Sequence, residues 1–144
     1  MSFVRIWIHA VWRTKYGEKV LSKGVRKQLF EHIGENAQSK NIYIDTINGH
    51  YDHVHCLMGL KSEQSISTLM RLIKGESSFW MNKNGIIDSK FEWAIDYYAI
   101  SVSESQVKFV RAYIRNQEKH HAEQTCDEEC NTLFKHEDKR DDRA

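Results

Sequence analysis

The sequence predicts an α+β fold: a four-stranded antiparallel sheet with helices packed on one face, and a further helix near the C-terminal end. Segments rich in β-branched and aromatic residues alternate with segments whose apolar residues recur at helical spacing. Their order is strand, helix, strand, strand, helix, strand, helix, which is a split β-α-β unit repeated, as in ferredoxin-like and RRM-like folds. The 144 residues contain no proline, and they show no repeat and no low-complexity linker, so a single domain is expected.

The chain begins with a predicted strand and helix. Residues 3–12 mix β-branched and aromatic side chains, which is typical of a strand, and Tyr16-Gly17 supplies the turn after it. Residues 23–39 are predicted to form an amphipathic helix. Its apolar side consists of Val25, Leu29, Phe30 and Ile33.

A hairpin and a second helix follow. Residues 41–48 alternate as a strand does, Gly49-His50-Tyr51 breaks the pattern, and residues 53–60 form the second arm of the hairpin. Ser65 is expected to open a helix that runs to about Met81. The buried side of that helix is predicted to carry Ile66, Leu69, Met70, Ile73 and Trp80.

The last strand is predicted over residues 94–102, and a third helix runs from there to about His121. Ser103 and Gln106 have the spacing of a capping box, in which the two side chains satisfy free amides of the first helical turn. A short helix is expected over residues 126–135. The prediction is therefore one domain over residues 1–135, followed by a polar, disordered tail over residues 136–144.

The charge of the chain is unevenly distributed, although its net value is only +1. Seven basic residues and one glutamate lie within residues 1–27, whereas eight acidic and four basic residues lie within residues 122–144. A basic beginning is compatible with a localised surface for phosphate groups. A solvated charged surface explains the same distribution equally well.

Composition indicates a cytoplasmic protein with no membrane partner. Apolar residues make up 40% of the chain, no apolar run is long enough to span a bilayer, and no cleavage pattern follows the first apolar stretch. The three cysteines, Cys56, Cys126 and Cys130, are odd in number and lack CxxC spacing. This pattern argues against a disulfide framework and against a zinc site built from cysteine, so reduced thiols are expected.

His53 and His55 are the first candidate site residues. Alternate side chains of a strand face the same way, and their Cα atoms lie about 6.6–7 Å apart, so two imidazoles at this spacing can converge on one metal ion. Val54 between them would then anchor the strand in the core, and Asp52 would point to that same far face. Taken alone, a His-x-His pair is a weak signal, because surface or hydrogen-bonded histidines produce it more often.

Tyr113 and Gln117 are the second candidate pair. Four residues apart, they share one face of the third helix. The glutamine oxygen is a suitable ligand for Mg²⁺ or Mn²⁺. Tyr113 borders the apolar stripe of its helix, so an ordinary half-buried tyrosine is the plainer interpretation of this residue alone. His120 offers a further ligand, although His120-His121 better fit a capping role at the helix C-terminus.

Together these segments resemble the single-tyrosine HUH transposases of small bacterial insertion sequences, including the relatives associated with repetitive extragenic palindromes (REP). The resemblance spans residues from about 5 to 135, and Tyr51 stands where many relatives have proline. Its matching segments are Trp12-Arg-Thr-Lys-Tyr16, Asp52-His-Val-His55, Lys74-Gly75, and Tyr113-Ile-Arg-Asn-Gln117 continuing to His120-His121.

The resemblance implies specific roles. His53, His55 and Gln117 would bind Mg²⁺ or Mn²⁺, and Tyr113 would be the nucleophile. The substrate would be single-stranded DNA with imperfect hairpins near the ends of the element, cleaved and rejoined through a 5′-phosphotyrosine intermediate. The protein would act as a homodimer in the bacterial cytoplasm, associated with the nucleoid. Whether Tyr113 serves its own chain or its partner stays open, as does the group that deprotonates it.

Contacts to the DNA backbone are predicted for basic residues near the motifs, namely Arg13, Lys15, Lys74, Arg111 and Arg115. Exposed aromatic side chains such as Tyr16 or Trp80 could stack on unpaired bases, although the spacing of Trp80 is more typical of a core residue.

Three other functions fit parts of the pattern. A catalytically silent module would bind the same hairpins without forming a covalent adduct. A small metal-dependent phosphoesterase would use His53 and His55 with activated water, and would need a further carboxylate or histidine ligand. A purely structural ferredoxin-like domain would take up no specific metal.

Overall fold

One antiparallel sheet forms the centre of the molecule, in which the first strand pairs with the third and fourth strands and the third strand also pairs with the second. The computed structural model describes residues 2–117 and 125–133, so His120-His121 and the predicted tail lie outside the described residues. The predicted fold class is confirmed. The elements are β1 (Ile6–Thr14), α1 (Lys23–Ser39), β2 (Tyr43–Gly49), β3 (His53–Leu60), α2 (Ile66–Lys83), β4 (Trp93–Val102), α3 (Val107–Arg115) and α4 (Cys126–Leu133).

The main core lies between α1, α2 and one face of the sheet. Both helices begin at a serine N-cap: the Ser22 hydroxyl accepts from Val25 N, and the Ser65 hydroxyl accepts from Thr68 N. Alternate residues of β1 and β3 point into this core. They are Ile8, Ala10 and Trp12 on β1, and Val54, Cys56 and Met58 on β3. This packing fixes which face the intervening residues of β3 must occupy.

The opposite face of the sheet is covered by α3 and α4. Val107 and Ile114 of α3 pack against Leu57 of β3, and Cys130 of α4 packs against Val11 of β1. The third helix therefore lies across the face that α1 and α2 leave open. His53 and His55 point toward this second layer, because Val54 and Cys56 point away from it.

Two side chains of β2 fasten α3 to the sheet. A register irregularity lies between Ile44 and Thr46, and the extra residue, Asp45, receives both Nε and a terminal nitrogen of Arg111 at 2.8 and 2.9 Å. The Asn48 amide donates to the carbonyls of Ile114 and Arg115 at 3.0 and 3.2 Å. Since the last carbonyls of a helix have no partner within it, this amide stabilises the end of α3.

Several details differ from the sequence predictions. The first strand begins at Ile6 and not at Phe3, whose side chain is 80% exposed. The capping box at Ser103 was wrong, because Glu104–Gln106 form a 3₁₀ turn and Ser103 makes no capping hydrogen bond from its side chain. Glu104 is held by β1 instead, where Trp7 Nε1 donates to its carboxylate at 2.6 Å. The third helix ends at Arg115, and residues 118–121 of its predicted range lie outside the described residues.

Within the two described ranges, we find no helix that combines the length and the apolar character needed to cross a membrane.

Replacing Ile114 with alanine should lower the free energy of unfolding by about 2–5 kcal/mol, since its side chain is fully buried between α3 and the sheet. Phe109→Ala on the same helix is the matched control, because that ring is 58% exposed and its loss should change stability little. Urea unfolding measures both effects. Equal losses in the two variants would contradict the packing of α3 described here.

Candidate metal centre beside a tyrosine

His53 and His55 lie on adjacent same-face positions of β3, and both side chains are fully buried. His53 Nδ1 donates to Asp52 Oδ1 at 2.8 Å. This bond fixes the neutral tautomer in which the Nε2 lone pair of His53 faces inward, as in many metal-binding histidines. The prediction that Asp52 faces away was wrong, because Asp52 lies in the bend before β3, where strict alternation does not apply.

His9 of β1 is a third buried imidazole beside this histidine pair, and no pattern in the sequence predicts its role. Its Nε2 lies 2.9 Å from His55 Nδ1. Burial disfavours the cationic form, and the neighbouring His55 adds to the effect, so the pKa of His9 falls to about 3. A neutral His9 can accept the Nδ1 proton of His55, which leaves the Nε2 lone pair of His55 directed into the site.

Glu129 of α4 brings a carboxylate between the two histidines of β3. Its Oε2 lies 3.3 Å from His53 Nε2, and its Oε1 lies 3.2 Å from His55 Nε2. The Glu129 side chain is only 1% exposed. Sequence reasoning missed this residue, because one glutamate within an acidic segment gives no signal of its distant partners.

Gln117 lies two residues beyond α3 and is also fully buried. Its Oε1 lies 3.3 Å from His53 Nε2, and its amide nitrogen donates to Glu129 Oε1 at 3.1 Å. The structure therefore brings Gln117 to the histidine pair, as a ligand role would require.

Tyr113 of α3 is half-buried beside the same cluster and in the same chain. Its ring centre lies 5.8 Å from that of His55 and 6.4 Å from that of His9. The phenolic hydroxyl donates to Glu129 Oε1. Burial first, and then the hydrogen bond to Glu129 and the charge of that carboxylate, raise the pKa of Tyr113. The phenol is thus held protonated, with a carboxylate in place to receive its proton.

The residues present fit a divalent cation. One ligand atom each from His53, His55 and Glu129 lies within 4.8 Å of the other two. The inward lone pair of His53 faces oxygens of Gln117 and Glu129 at 3.3 Å, and lone pairs opposed in this way repel unless a cation or a proton lies between them. Imidazole and carboxylate ligands together suit several divalent ions.

The five predicted DNA-binding residues lie in two groups: Arg13, Lys15 and Lys74 line pockets beside Tyr16, whereas Arg111 and Arg115 belong to α3. Three of them bind within the protein: Lys15 pairs with Glu92 at 2.7 Å, Lys74 Nζ donates to the carbonyls of Ala94 and Ile95, and Arg111 pairs with Asp45. The other two are Arg13, which is half-buried, and Arg115, which is exposed.

The two predicted stacking residues also differ in their surroundings. Trp80 stacks on His32 with ring centres 4.2 Å apart, whereas Tyr16 is 86% exposed. Of the two, Tyr16 is therefore the better placed to meet an unpaired base.

A four-stranded sheet that presents a His-x-His pair to a helix-borne tyrosine defines the class of single-tyrosine HUH proteins. Residues 2–117 match the family model described as "Transposase IS200 like", so the chain belongs to that transposase family. The IS200 transposase of Salmonella typhimurium is 25% identical over 114 residues, and the match covers 76% of this chain and 74% of that protein. The ISDra2 transposase TnpA of Deinococcus radiodurans is 26% identical over 115 residues, with 76% and 81% covered.

Solved structures share the fold. A crystal structure of a candidate transposase from Deinococcus radiodurans matches with a TM-score of 0.66 at 23% identity, covering 81% of this chain and 93% of that one. A REP-associated tyrosine transposase bound to a REP hairpin matches with a TM-score of 0.60 at 16% identity, covering 84% and 72%. At these identities the likeness establishes a common architecture and no more.

The protein should bind Mn²⁺ with one ion per chain, and His53→Ala should weaken that binding by at least about 100-fold, because loss of even an outer partner of a metal ligand weakens binding about 10–100-fold. Glu129→Gln should weaken it as well, since the anionic ligand is lost. His32→Ala is the control, because His32 pairs with Glu76 on the far side of the sheet. Calorimetry measures the affinities, and equal affinity in the wild type and His53→Ala would contradict the site.

Proposed function

We propose that this IS200-like transposase cleaves and rejoins single-stranded DNA at hairpin-marked element ends, with Tyr113 as the nucleophile. The observation that carries the proposal is the hydrogen bond from the Tyr113 hydroxyl to Glu129, the carboxylate that lies between His53 and His55. The hairpin substrate is inferred from the relative that binds a REP hairpin.

The chemistry begins with the phenol of Tyr113. As Tyr113 Oη attacks phosphorus, its proton passes to Glu129 Oε1. The bond from phosphorus to the 3′-oxygen breaks, that oxygen takes up a proton from water, and Glu129 releases its proton to solvent. The products are a 5′-phosphotyrosine and a free 3′-hydroxyl. Because the bond energy is retained, a 3′-hydroxyl from another strand can reverse the step and join new DNA without ATP.

His53, His55 and Glu129 would hold the divalent cation, Mg²⁺ or Mn²⁺, with Gln117 as a further proposed ligand. Bound there, the cation would polarise a phosphate oxygen and offset the negative charge that develops at phosphorus. Asp52 orients His53 and His9 orients His55, so both imidazoles are positioned before the substrate arrives. A homodimer is proposed on the strength of the family, with Tyr113 available to the histidines of its own chain.

A metal-dependent phosphoesterase is the competing function, and Glu129 supplies the carboxylate that it requires. The contact between Tyr113 and that same carboxylate favours strand transfer, because it places a proton acceptor against a phenol that can itself form a bond to phosphorus. The two functions differ in their products: strand transfer passes through a covalent adduct, whereas hydrolysis does not.

Wild-type protein, Mn²⁺ and a hairpin oligonucleotide labelled at its 3′ end should give a covalent protein–DNA adduct on a denaturing gel. The same DNA labelled at its 5′ end should give a free labelled fragment. Tyr113→Phe should form no adduct, because the attacking oxygen is absent. Tyr51→Phe is the matched control, since that ring is exposed and lies over Arg26.

Adduct formation by Tyr113→Phe would contradict the assignment of the nucleophile. Cleavage by the wild type with no adduct at any time point would favour the phosphoesterase. Hairpin binding without cleavage in the presence of Mn²⁺ would favour the silent binding module.

A further inference from the structure

Two adjoining hollows run along the surface next to the metal centre. The outer one has a volume of roughly 650 Å³, and its lining includes Tyr16, Lys74, Gly75 and Ile95. The inner one, of roughly 360 Å³, is lined by Tyr16, Arg13, Asp52 and Thr125, among others. Both include Tyr16 and Ala94, so they form one continuous surface, which we call the Tyr16 trough.

The inner end of the Tyr16 trough is linked to the metal centre through Asp52. Asp52 lines it, and the Asp52 carboxylate accepts the hydrogen bond that orients His53. Thr125 lies on the same wall, directly before the helix that carries Glu129. A nucleotide joined to a phosphate in the site must extend into adjoining space, and the Tyr16 trough provides such space.

Tyr16 is held in an uncommon conformation that exposes its ring. Its φ is +61°, in the left-handed region that disfavours residues with a side chain, and Gly17 after it has a φ of +67°. The turn is fastened by backbone contacts: Thr14 N donates to the carbonyl of Asp52, the Thr14 hydroxyl donates to the carbonyl of Glu18, and Lys15 N donates to the carbonyl of Glu92. A strained, firmly anchored turn that displays an aromatic ring to solvent is typical of a ligand contact.

The remaining lining is mixed: aliphatic and glycine surface lies beside two lysines and the carboxylates of Glu92 and Asp96. Ile95 is 93% exposed and adds an aliphatic surface to the same hollow as the Tyr16 ring. Gly75 presents no side chain, and a Cβ there would meet nothing within 4 Å, so this wall stays open. Lys74 lies on the rim with its Nζ fixed by two carbonyls, and Arg13 lies at the inner end.

We infer that the Tyr16 trough binds the unpaired nucleotide next to the cleaved phosphate, with its base stacked on the Tyr16 ring. The inference rests on the proposed function, because it assigns a binding surface to the single-stranded substrate of that site. Stacking on an aromatic ring tolerates any base, since every base has a π face. The trough therefore contributes affinity and position for the flanking strand, and sequence recognition falls to other contacts.

The experiment uses a hairpin oligonucleotide from the DNA flanking the gene, with 2-aminopurine placed singly at each unpaired position. Binding of the full-length protein should quench the fluorescence at one position beside the cleavage point. Tyr16→Ala should abolish that quenching and weaken binding by about tenfold, whereas Tyr16→Phe should keep both, because the ring remains. Tyr43→Ala is the control, since Tyr43 is also an exposed aromatic residue but lies in a separate hollow with Trp7.

Each outcome either supports or overturns the assignment of the Tyr16 trough. Wild-type protein that forms the adduct while Tyr16→Ala quenches and binds equally well overturns the trough assignment and leaves the proposed function intact. Equal losses in Tyr16→Ala and Tyr43→Ala also overturn it, because the effect would then not be specific to the trough. Wild-type protein that neither binds the hairpin nor forms an adduct overturns the proposed function and the trough with it.

Discussion

The burial of the Glu129 carboxylate between two imidazoles is the interaction on which the site depends. A buried carboxylate is destabilising by several kcal/mol unless hydrogen bonds or a cation compensate its charge. Here Tyr113 of α3 and Gln117 of the segment after it donate hydrogen bonds to the carboxylate, and a cation held with His53 and His55 of β3 would offset its remaining charge. The site therefore forms only when α3 and α4 both lie against the same face of the sheet.

Contacts away from the metal centre hold α3 in the position that the site requires. The irregularity in β2 turns Asp45 toward Arg111, and Asn48 holds the last carbonyls of α3. These contacts determine where the helix ends, and hence where Gln117 can turn into the site. Arg111 thus acts within the fold in this structure, although its charge had suggested a contact to DNA.

The features of this molecule that depend on local sequence pattern could be predicted from the sequence. The period of two in β3 identified the face shared by His53 and His55. Tyr113 and Gln117 do meet at one site, but they do not share a helix face as predicted, because α3 ends at Arg115 between them. His9 and Glu129 could not be found in this way, because their roles depend on which strands pair and on how α4 packs. The capping box at Ser103 failed for a related reason: Trp7 and Arg5, almost a hundred residues away, hold Glu104 in a different turn.

The most direct test of this account is a crystal structure of the protein grown with Mn²⁺, with anomalous diffraction recorded to locate the metal. The account predicts one anomalous peak per chain, within bonding distance of His53 Nε2, His55 Nε2 and a Glu129 oxygen, with the Tyr113 hydroxyl next to it. An anomalous map from saturated crystals with no peak between the two histidines, or with Tyr113 turned away from them in every copy, would contradict it.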